Sequence, residues 1–350
     1  MKYIGNKKRL LGFIDESLKN AGIPDSGIFA DIFSGTTSVA EHYKNLGYKI
    51  ISNDFMTYSF VLQKALIEGN KMLCFTDLCA HLSLEESATP VDAVIDYLNG
   101  LKPIKGYAFD NYGSEGCQGR MYFTAENAGL IDAIRDEIAI WEKEGLISDA
   151  EKYYLLALLI DAADHVANMS GTYGAYLKIW RSVALKEMKL KKRNLVDNGM
   201  QNTVYREKAE DLIHRISGDV LYLDPPYNSR QYASNFHVLE SIAVWDKQLL
   251  AGVAGLRDYS DQKSDFSRKA LAPKALEIVV NAAKFRFIAL SYNNEGIIPH
   301  EQIFQILSNV GKVKVFKTDY RRFRTERNHE KRKYKDVDDR TLEYLFVAEK

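Results

Sequence analysis

Cysteine is scarce: Cys74, Cys79 and Cys117 are the only three in 350 residues. Their number and spacing make neither a disulfide framework nor a four-ligand zinc site, so they read as thiols of a reducing compartment. Long apolar runs are missing as well. None approaches the roughly 20 residues that a membrane-spanning helix needs. The first residues, "MKYIGNKKRLLGF", lack the apolar core of a signal peptide. These absences predict a cytoplasmic protein. No internal repeat or low-complexity tract is present, which sets aside repeat architectures.

Net charge is zero, from 47 Lys and Arg against 47 Asp and Glu. That balance argues against a uniformly basic nucleic-acid coat. The distribution is uneven, however. Residues 312–335 hold eleven Lys or Arg against three Asp or Glu, and residues 178–193 hold seven against one. Two basic segments in a balanced chain point to a localised polyanion track. The 46% hydrophobic and 27% charged content is that of an ordinary globular chain, long enough for about two domains.

Strands and helices alternate at the start of the chain. "GIFADIF" ends in the turn signal "SGTTS", a helical stretch follows over 39–45, and "YKIISND" is the next strand. This alternation predicts a parallel α/β sheet. Residues 76–125 carry mixed loop signals. Two long helical patterns come next, one opening at Thr124, the other at Ser148 with Glu151 at capping-box spacing. The α/β pattern then resumes with "DVLYLD", "PKALEIVVNAAK" and "FRFIALSY". "KVKVFKTDY" and "TLEYLFVAEK" read as a terminal hairpin joined by a charged loop.

The segment "LYLDPPYNSR" concentrates chemistry. Ligands of open α/β sheets sit beyond the carboxyl ends of strands, which is where Asp224 falls. Pro225 and Pro226 cannot donate to a ladder and lock a rigid corner. Tyr227 adds a flat ring. A carboxylate, outward carbonyls and a stacking face within four residues suit a planar group bearing an NH2. At the other end, "FADIFSGTTSVA" is strand, small-residue loop and helix, with Gly35 allowing close approach of a ligand. Asp54 ends the next strand about twenty residues on, the usual place for an acid that holds a ribose. Loop and acid together predict an adenosine-containing cofactor.

In this order, "KYIGNKKRLL", "FADIFSGTTSVA", "ISND" and "LYLDPPY" resemble the Dam-like, alpha-group DNA adenine methyltransferases that use S-adenosylmethionine. In that family an N-terminal aromatic-glycine-lysine motif, a Phe-x-Gly-x-Gly loop, an acid after the second strand and Asp-Pro-Pro-Tyr line one pocket. The resemblance covers roughly residues 1–75 and 200–350. It implies an α/β, Rossmann-like methyltransferase sheet with a terminal antiparallel hairpin and an inserted, largely helical target-recognition domain. The expected boundaries are 1–75 and 196–350 for the catalytic domain and 76–195 for the insertion. Within the insertion, "HVANMSGTYGAYLKIW" resembles a stretch of restriction-modification members.

Carried over residue by residue, the resemblance implies that Tyr3 and Lys7 contact the cofactor. Phe33, Ser34, Gly35 and Thr36 wrap its methionine end, and Asp54 holds the ribose. Glu210 or Asp211 serves its adenine. Thr37 stands where the family has the second loop glycine; a threonine there can cap the helix and donate a hydroxyl. Asp224, Pro225, Pro226 and Tyr227 carry the reaction, with Asp224 also beside the cofactor. Tyr227, Tyr292 and Asn293 hold the extruded base. Lys178, Arg181, Arg321, Arg322 and Arg324 are the expected DNA contacts. The reaction needs no metal. The implied partner is double-stranded DNA of a bacterial or phage host, with a cognate restriction endonuclease acting on the same site without stable binding. The alternatives are adenine methylation in RNA and a catalytically decayed DNA-binding protein on the same fold; a nicotinamide dehydrogenase shares the strand-loop-helix-acid pattern but has no use for Pro-Pro-Tyr.

Overall fold

The structure is a computed structural model that describes residues 6–84, 89–321 and 340–350. Among the described residues, seven strands form one sheet: β1 (Ile28–Asp31), β2 (Lys49–Asn53), β3 (Thr203–Tyr205), β4 (Ser217–Leu223), β5 (Lys284–Asn293), β6 (Lys312–Arg321) and β7 (Arg340–Glu349). Their order is β3-β2-β1-β4-β5-β7-β6. β1 pairs in parallel with both β2 and β4, and only β7 runs against its neighbours. The expected terminal hairpin is therefore present, wedged so that β7 lies between β5 and β6. The charged connection between those two strands lies outside the described residues.

Sequence explains the depth of each strand. The central strands are near-continuous apolar runs, as parallel strands covered on both faces require. Ala30, Leu221, Leu223, Ile288, Leu290, Phe346 and Ala348 form one buried cluster with Leu212, Leu276, Val279 and Ile303 of the covering helices. Phe29 and Tyr222 belong elsewhere: Phe29 stacks on Tyr43 at 3.8 Å between centroids and lies 6.1 Å from the Tyr222 ring. β3 was not expected, because "TVY" is too short to show a period; it pairs with β2 through Ile51, Ser52 and Asn53.

From β1 the chain moves outward to β2 and later returns to β4 on the other side. This reversal makes a switch point, where ligands of such sheets bind. Registers bring specific groups to its carboxyl edge. Asp31 ends β1 opposite Tyr222, two residues before Asp224. Because β7 runs antiparallel, its first residues share that edge, with Glu343 opposite Asn293.

Met56–Gly199 and Ala233–Asp261 make a second, helical unit, distinct from the sheet unit of Ile4–Phe55, Met200–Tyr232 and Gln262–Lys350. The two long helices are Ala125–Lys143 and Asp149–Val166. Thr124 caps the first, and Ser148 with Glu151 forms the expected capping box on the second. Residues 76–125, which read as loop, contain three short helices instead: Thr76–His81, Pro90–Asn99 and Tyr107–Tyr112. Their length hides the period, although Pro90 with Thr89 as cap is a regular helix start.

Buried acids from neighbouring helices tie this unit together. Asp132 accepts the backbone N–H groups of Ala108 and Phe109, each at 2.7 Å. Glu240 accepts those of Thr57 and Tyr58, each at 3.0 Å. Each carboxylate meets the unsatisfied donors at the start of another helix, where the helix dipole also favours an anion. Replacing Asp132 or Glu240 by alanine strands two buried donors and is expected to cost about 2–4 kcal/mol each. Urea unfolding of each variant against the unaltered protein measures this.

Candidate active site

β4 stops at Leu223, and Asp224-Pro225-Pro226-Tyr227 follow at the carboxyl edge. A short 3₁₀ turn, Lys7–Arg9, reaches this edge, with Asn6 as its cap accepting the Lys8 N–H. The Lys7 ammonium lies 3.1 Å from Asp224 Oδ1 and 3.7 Å from Glu343 Oε2. It also stands 5.7 Å above the centre of the Tyr227 ring. Lys7 is only 4% exposed. Burial alone would lower its pKa, but Asp224, Glu343 and Tyr227 outweigh that and hold it above the ordinary lysine value. Lys7, expected at the cofactor, places its ammonium on Asp224, an acid also expected beside the cofactor.

Burial pushes Asp224 up to about 6, Lys7 opposing the rise and Glu343 adding to it. Asp31, 2% exposed, is pushed up to about 8, by burial first and then by the charge of Asp224. Near neutral pH the free protein thus carries an ionised Asp224 and a largely protonated Asp31. A buried carboxyl held neutral in this way ionises when a cation docks beside it.

The loop after β1 is bound to β2. Gly35 donates its N–H to Asp54 Oδ2 at 2.8 Å, and Ser34 N–H donates to the Asn53 carbonyl at 2.9 Å. Ser34 Oγ donates to the Asp31 carbonyl and pairs with Ser52 Oγ, so this hydroxyl braces the loop from within. Thr36 pairs with Ser38, which donates to Asn6. Gly35 and Thr37 both have left-handed backbones, with φ of 50° and 66°. Thr37 occupies the cap position of the helix Ser38–Asn45, yet its side chain makes no capping bond. The expectation of a capping threonine is corrected: its single hydroxyl proton lies between the Glu41 carboxylate and the Thr36 carbonyl, both within donating reach. A β-branched residue at positive φ is strained, and this shared contact holds it there.

Phe33 meets Phe266 edge-on, centroids 5.0 Å apart. Of the two acids expected near adenine, Glu210 is half-buried and Asp211 exposed. Burial, with Asp265 next among the charges, raises the Glu210 pKa. Glu210 is the one placed in a desolvated setting.

Tyr227 is only partly buried, and the Tyr292 ring meets it edge-on at 6.4 Å. Tyr292 itself is 1% exposed, and its hydroxyl accepts the Ile298 N–H. Gly296 lies under that ring, where an added Cβ would come within 2.0 Å of Tyr292 Cε1. Asn293 is buried, and its Oδ1 accepts the Glu295 N–H. Tyr292 and Asn293 therefore shape the turn that supports Tyr227, and the Tyr227 carbonyl accepts the Ile297 N–H from that same turn.

Within the helical unit, Lys178 is exposed, whereas Arg181 is half-buried and donates through Nη1 to the Met169 carbonyl. Other cations of this basic run are paired: Lys189 with Glu187, Lys192 with Asp92 and Arg193 with Asp161. "HVANMSGTYGAYLKIW" is largely scaffold. Asn168 donates to the Met121 and Leu177 carbonyls and accepts the Arg181 N–H. Tyr3, Arg322 and Arg324 lie outside the described residues, as does the Arg321 side chain.

Two residues of the site were not anticipated. Asp31 has a signal in hindsight, since an acid closing an apolar strand is desolvated without a partner. Glu343 has one too, as the acid inside "TLEYLFVAE". Among the described residues no group of three or more His, Cys, Asp or Glu is arranged to hold a metal ion.

Comparison with known proteins matches the geometry. Residues 3–306 match the family described as D12 class N6 adenine-specific DNA methyltransferase. The type II methyltransferase M.FokI of Planomicrobium okeanokoites is 38% identical across the whole of this chain, which spans 53% of that relative. The type II methyltransferase M.NlaIII of Neisseria lactamica is 36% identical, again across the whole chain, with 99% of the relative covered. Modification methylase StsI of Streptococcus sanguinis is 35% identical over 93% of this chain and 49% of its own length. The chain thus spans about half of two of these relatives and nearly all of the third, and it belongs to the D12 class of N6 adenine-specific DNA methyltransferases.

Proposed function

We propose that this chain methylates the exocyclic amine of an adenine extruded from duplex DNA, at a specific sequence and as the modification half of a restriction-modification system. The observation that carries the reading is Asp224, held ionised by Lys7 at the switch point and followed by a rigid Pro-Pro-Tyr corner. Intact charge pairing at this acid disfavours a decayed binding protein.

The class uses S-adenosylmethionine, and the residues present fit it. Asp31 is a buried carboxyl awaiting a cation, and Asp224 Oδ1 is buried with no hydrogen bond of good geometry. We assign Asp31 and the loop Ser34–Gly35–Thr36 to the methionine end, Asp54 to the ribose, and Phe33 with Glu210 to the adenine. The bound cofactor supplies an electrophilic methyl on a sulfonium centre.

The amine of adenine is a weak nucleophile because its lone pair is delocalised into the ring. An ionised Asp224 accepts one of its N–H groups and the Pro225 carbonyl accepts the other. This draws the nitrogen toward tetrahedral geometry and localises the lone pair. Lys7 keeps Asp224 ionised down to about pH 6. Tyr227 stacks on the extruded base, returning roughly 1–3 kcal/mol of the stacking lost on flipping. Tyr292 braces Tyr227 edge-on.

We assign target recognition to the helical segment 76–195, with the exposed Lys178 as a phosphate contact. A restriction endonuclease cutting the same unmodified sequence is the proposed counterpart, as the type II names of the relatives suggest.

Transfer of labelled methyl groups to DNA tests the acceptor role. Asp224→Ala is expected to lose at least about 100-fold in rate while calorimetry still detects the cofactor. Full activity in that variant sinks the reading. The turnover rate of the unaltered enzyme should rise with pH through about 6 and then level off, because only the Asp224 carboxylate accepts the amine proton. A rate independent of pH between 5 and 8 contradicts this. Cofactor binding at pH 7 should release about one proton as Asp31 ionises. Calorimetry in buffers of different ionisation enthalpy counts that proton, and Asp31→Asn should abolish the release.

A further inference from the structure

We propose that Glu343 is a positioning residue for methyl transfer: by sharing the Lys7 ammonium that holds Asp224 ionised, it keeps the Asp224 site negatively charged in sum and the carboxylate open to the substrate amine. The proposal rests on Asp224 being the acceptor and adds a residue from the last strand of the sheet.

Glu343 occupies an inward position of β7, flanked on both sides by ladder partners, Asn293 of β5 and Thr318 of β6. Its side chain is 8% exposed. A carboxylate buried there is costly unless it is paired. Its Oε2 has no hydrogen bond of good geometry among the described residues and faces Lys7 at 3.7 Å. Asp224 Oδ1 shares this condition, meeting the same ammonium at 3.1 Å. The lysine is thus suspended between two acids rather than closed onto one.

That suspension has two consequences. A lysine paired to Asp224 alone would neutralise it and compete for the oxygen that the amine needs. With Glu343 ionised, Asp224, Lys7 and Glu343 carry a net charge of minus one. During transfer the amine lone pair forms the new N–C bond, and the electrons of the broken C–S bond stay on sulfur. Positive charge therefore moves onto the nitrogen. Its surplus proton passes to the Asp224 carboxylate and then to water. A net negative site favours this movement of charge, and a neutral Asp224–Lys7 pair does so far less. Among the described residues, the other titratable groups facing the cluster are Asp31 and the Tyr222 and Tyr227 phenols, with Asp54 reaching Asp31. Burial and Asp224 hold the Tyr222 phenol uncharged, and the largely protonated Asp31 cannot replace Glu343.

The experiment compares the unaltered protein with Glu343→Gln, Glu343→Asp, Lys7→Met and the Lys7→Met/Glu343→Gln double variant. One readout is turnover and cofactor affinity. The other is the carbon-13 titration of Asp224 in the cofactor-free protein, labelled at the aspartate carboxyl and assigned with Asp224→Asn. Glu343→Gln should lower kcat about 10- to 100-fold and leave the cofactor Kd within about threefold. It should also move the Asp224 midpoint below the starting value of about 6, whereas Lys7→Met should raise it. Glu343→Asp should return the midpoint toward that of the unaltered protein, and an Asp variant that titrates like the Gln variant overturns the proposal. In the Lys7→Met background, Glu343→Gln should cost less than about threefold. An equal loss in both backgrounds marks a merely structural role and overturns it, as does an unmoved Asp224 midpoint. The titration needs no turnover. A protein inactive on DNA would therefore undo the functional reading while the coupling between Glu343 and Asp224 is still decided.

Discussion

A single buried ammonium organises this sheet edge. Lys7 arrives from the N-terminal segment, Asp224 from the end of β4 and Glu343 from β7, and none of the three charges is tolerable there alone. Burying an unpaired ion would consume a large share of the free energy that holds a domain folded. The trio therefore constrains where the first turn, the Pro-Pro-Tyr corner and the terminal hairpin can lie with respect to one another. The pocket is shaped as much by this electrostatic requirement as by apolar packing beneath it.

The neighbouring carboxyls are arranged with different degrees of neutralisation. Asp224 has a lysine, Asp54 has the Gly35 N–H, and Asp31 has little beyond a long contact from the Phe33 N–H at 3.4 Å. Burial raises the proton affinity of both Asp31 and Asp224, and the lysine beside Asp224 holds it below Asp31. This is the usual way for a fold to draw several roles from one residue type.

Much of this was legible in the sequence, and the failures have physical causes. The strands that read most clearly are long, apolar and buried on both faces, so composition alone marks them. β3 spans three residues and draws its place from β2, a tertiary effect no local pattern carries. Asp-Pro-Pro-Tyr was readable because its residues are contiguous. Lys7 was readable only as a residue of the pocket; its partner depends on a contact with β4. Glu343 shows in the sequence only as an acid inside an apolar strand, since its meaning comes from lying on the antiparallel strand at the parallel strands' carboxyl edge. Tyr292 and Asn293 end β5 and pack into the turn beneath Tyr227, a side-chain direction that spacing does not encode. In the helical unit, charge counts overstated the free cations, because acids distant in sequence pair with Lys192 and Arg193.

The position of β7 also bears on how the protein comes into being. β7 inserts between β5 and β6, both synthesised before it, and brings Glu343 to a lysine that precedes every strand of the sheet. A nascent chain on the ribosome can hold the cofactor loop, the Pro-Pro-Tyr corner and the helical unit and still lack the antiparallel strand between β5 and β6. Domains generally form during synthesis from the N-terminal side, but this site must wait for its last strand. Modification competence is then a property of chains translated past Glu343, and interrupted products would carry a sheet with an open slot where the site should close.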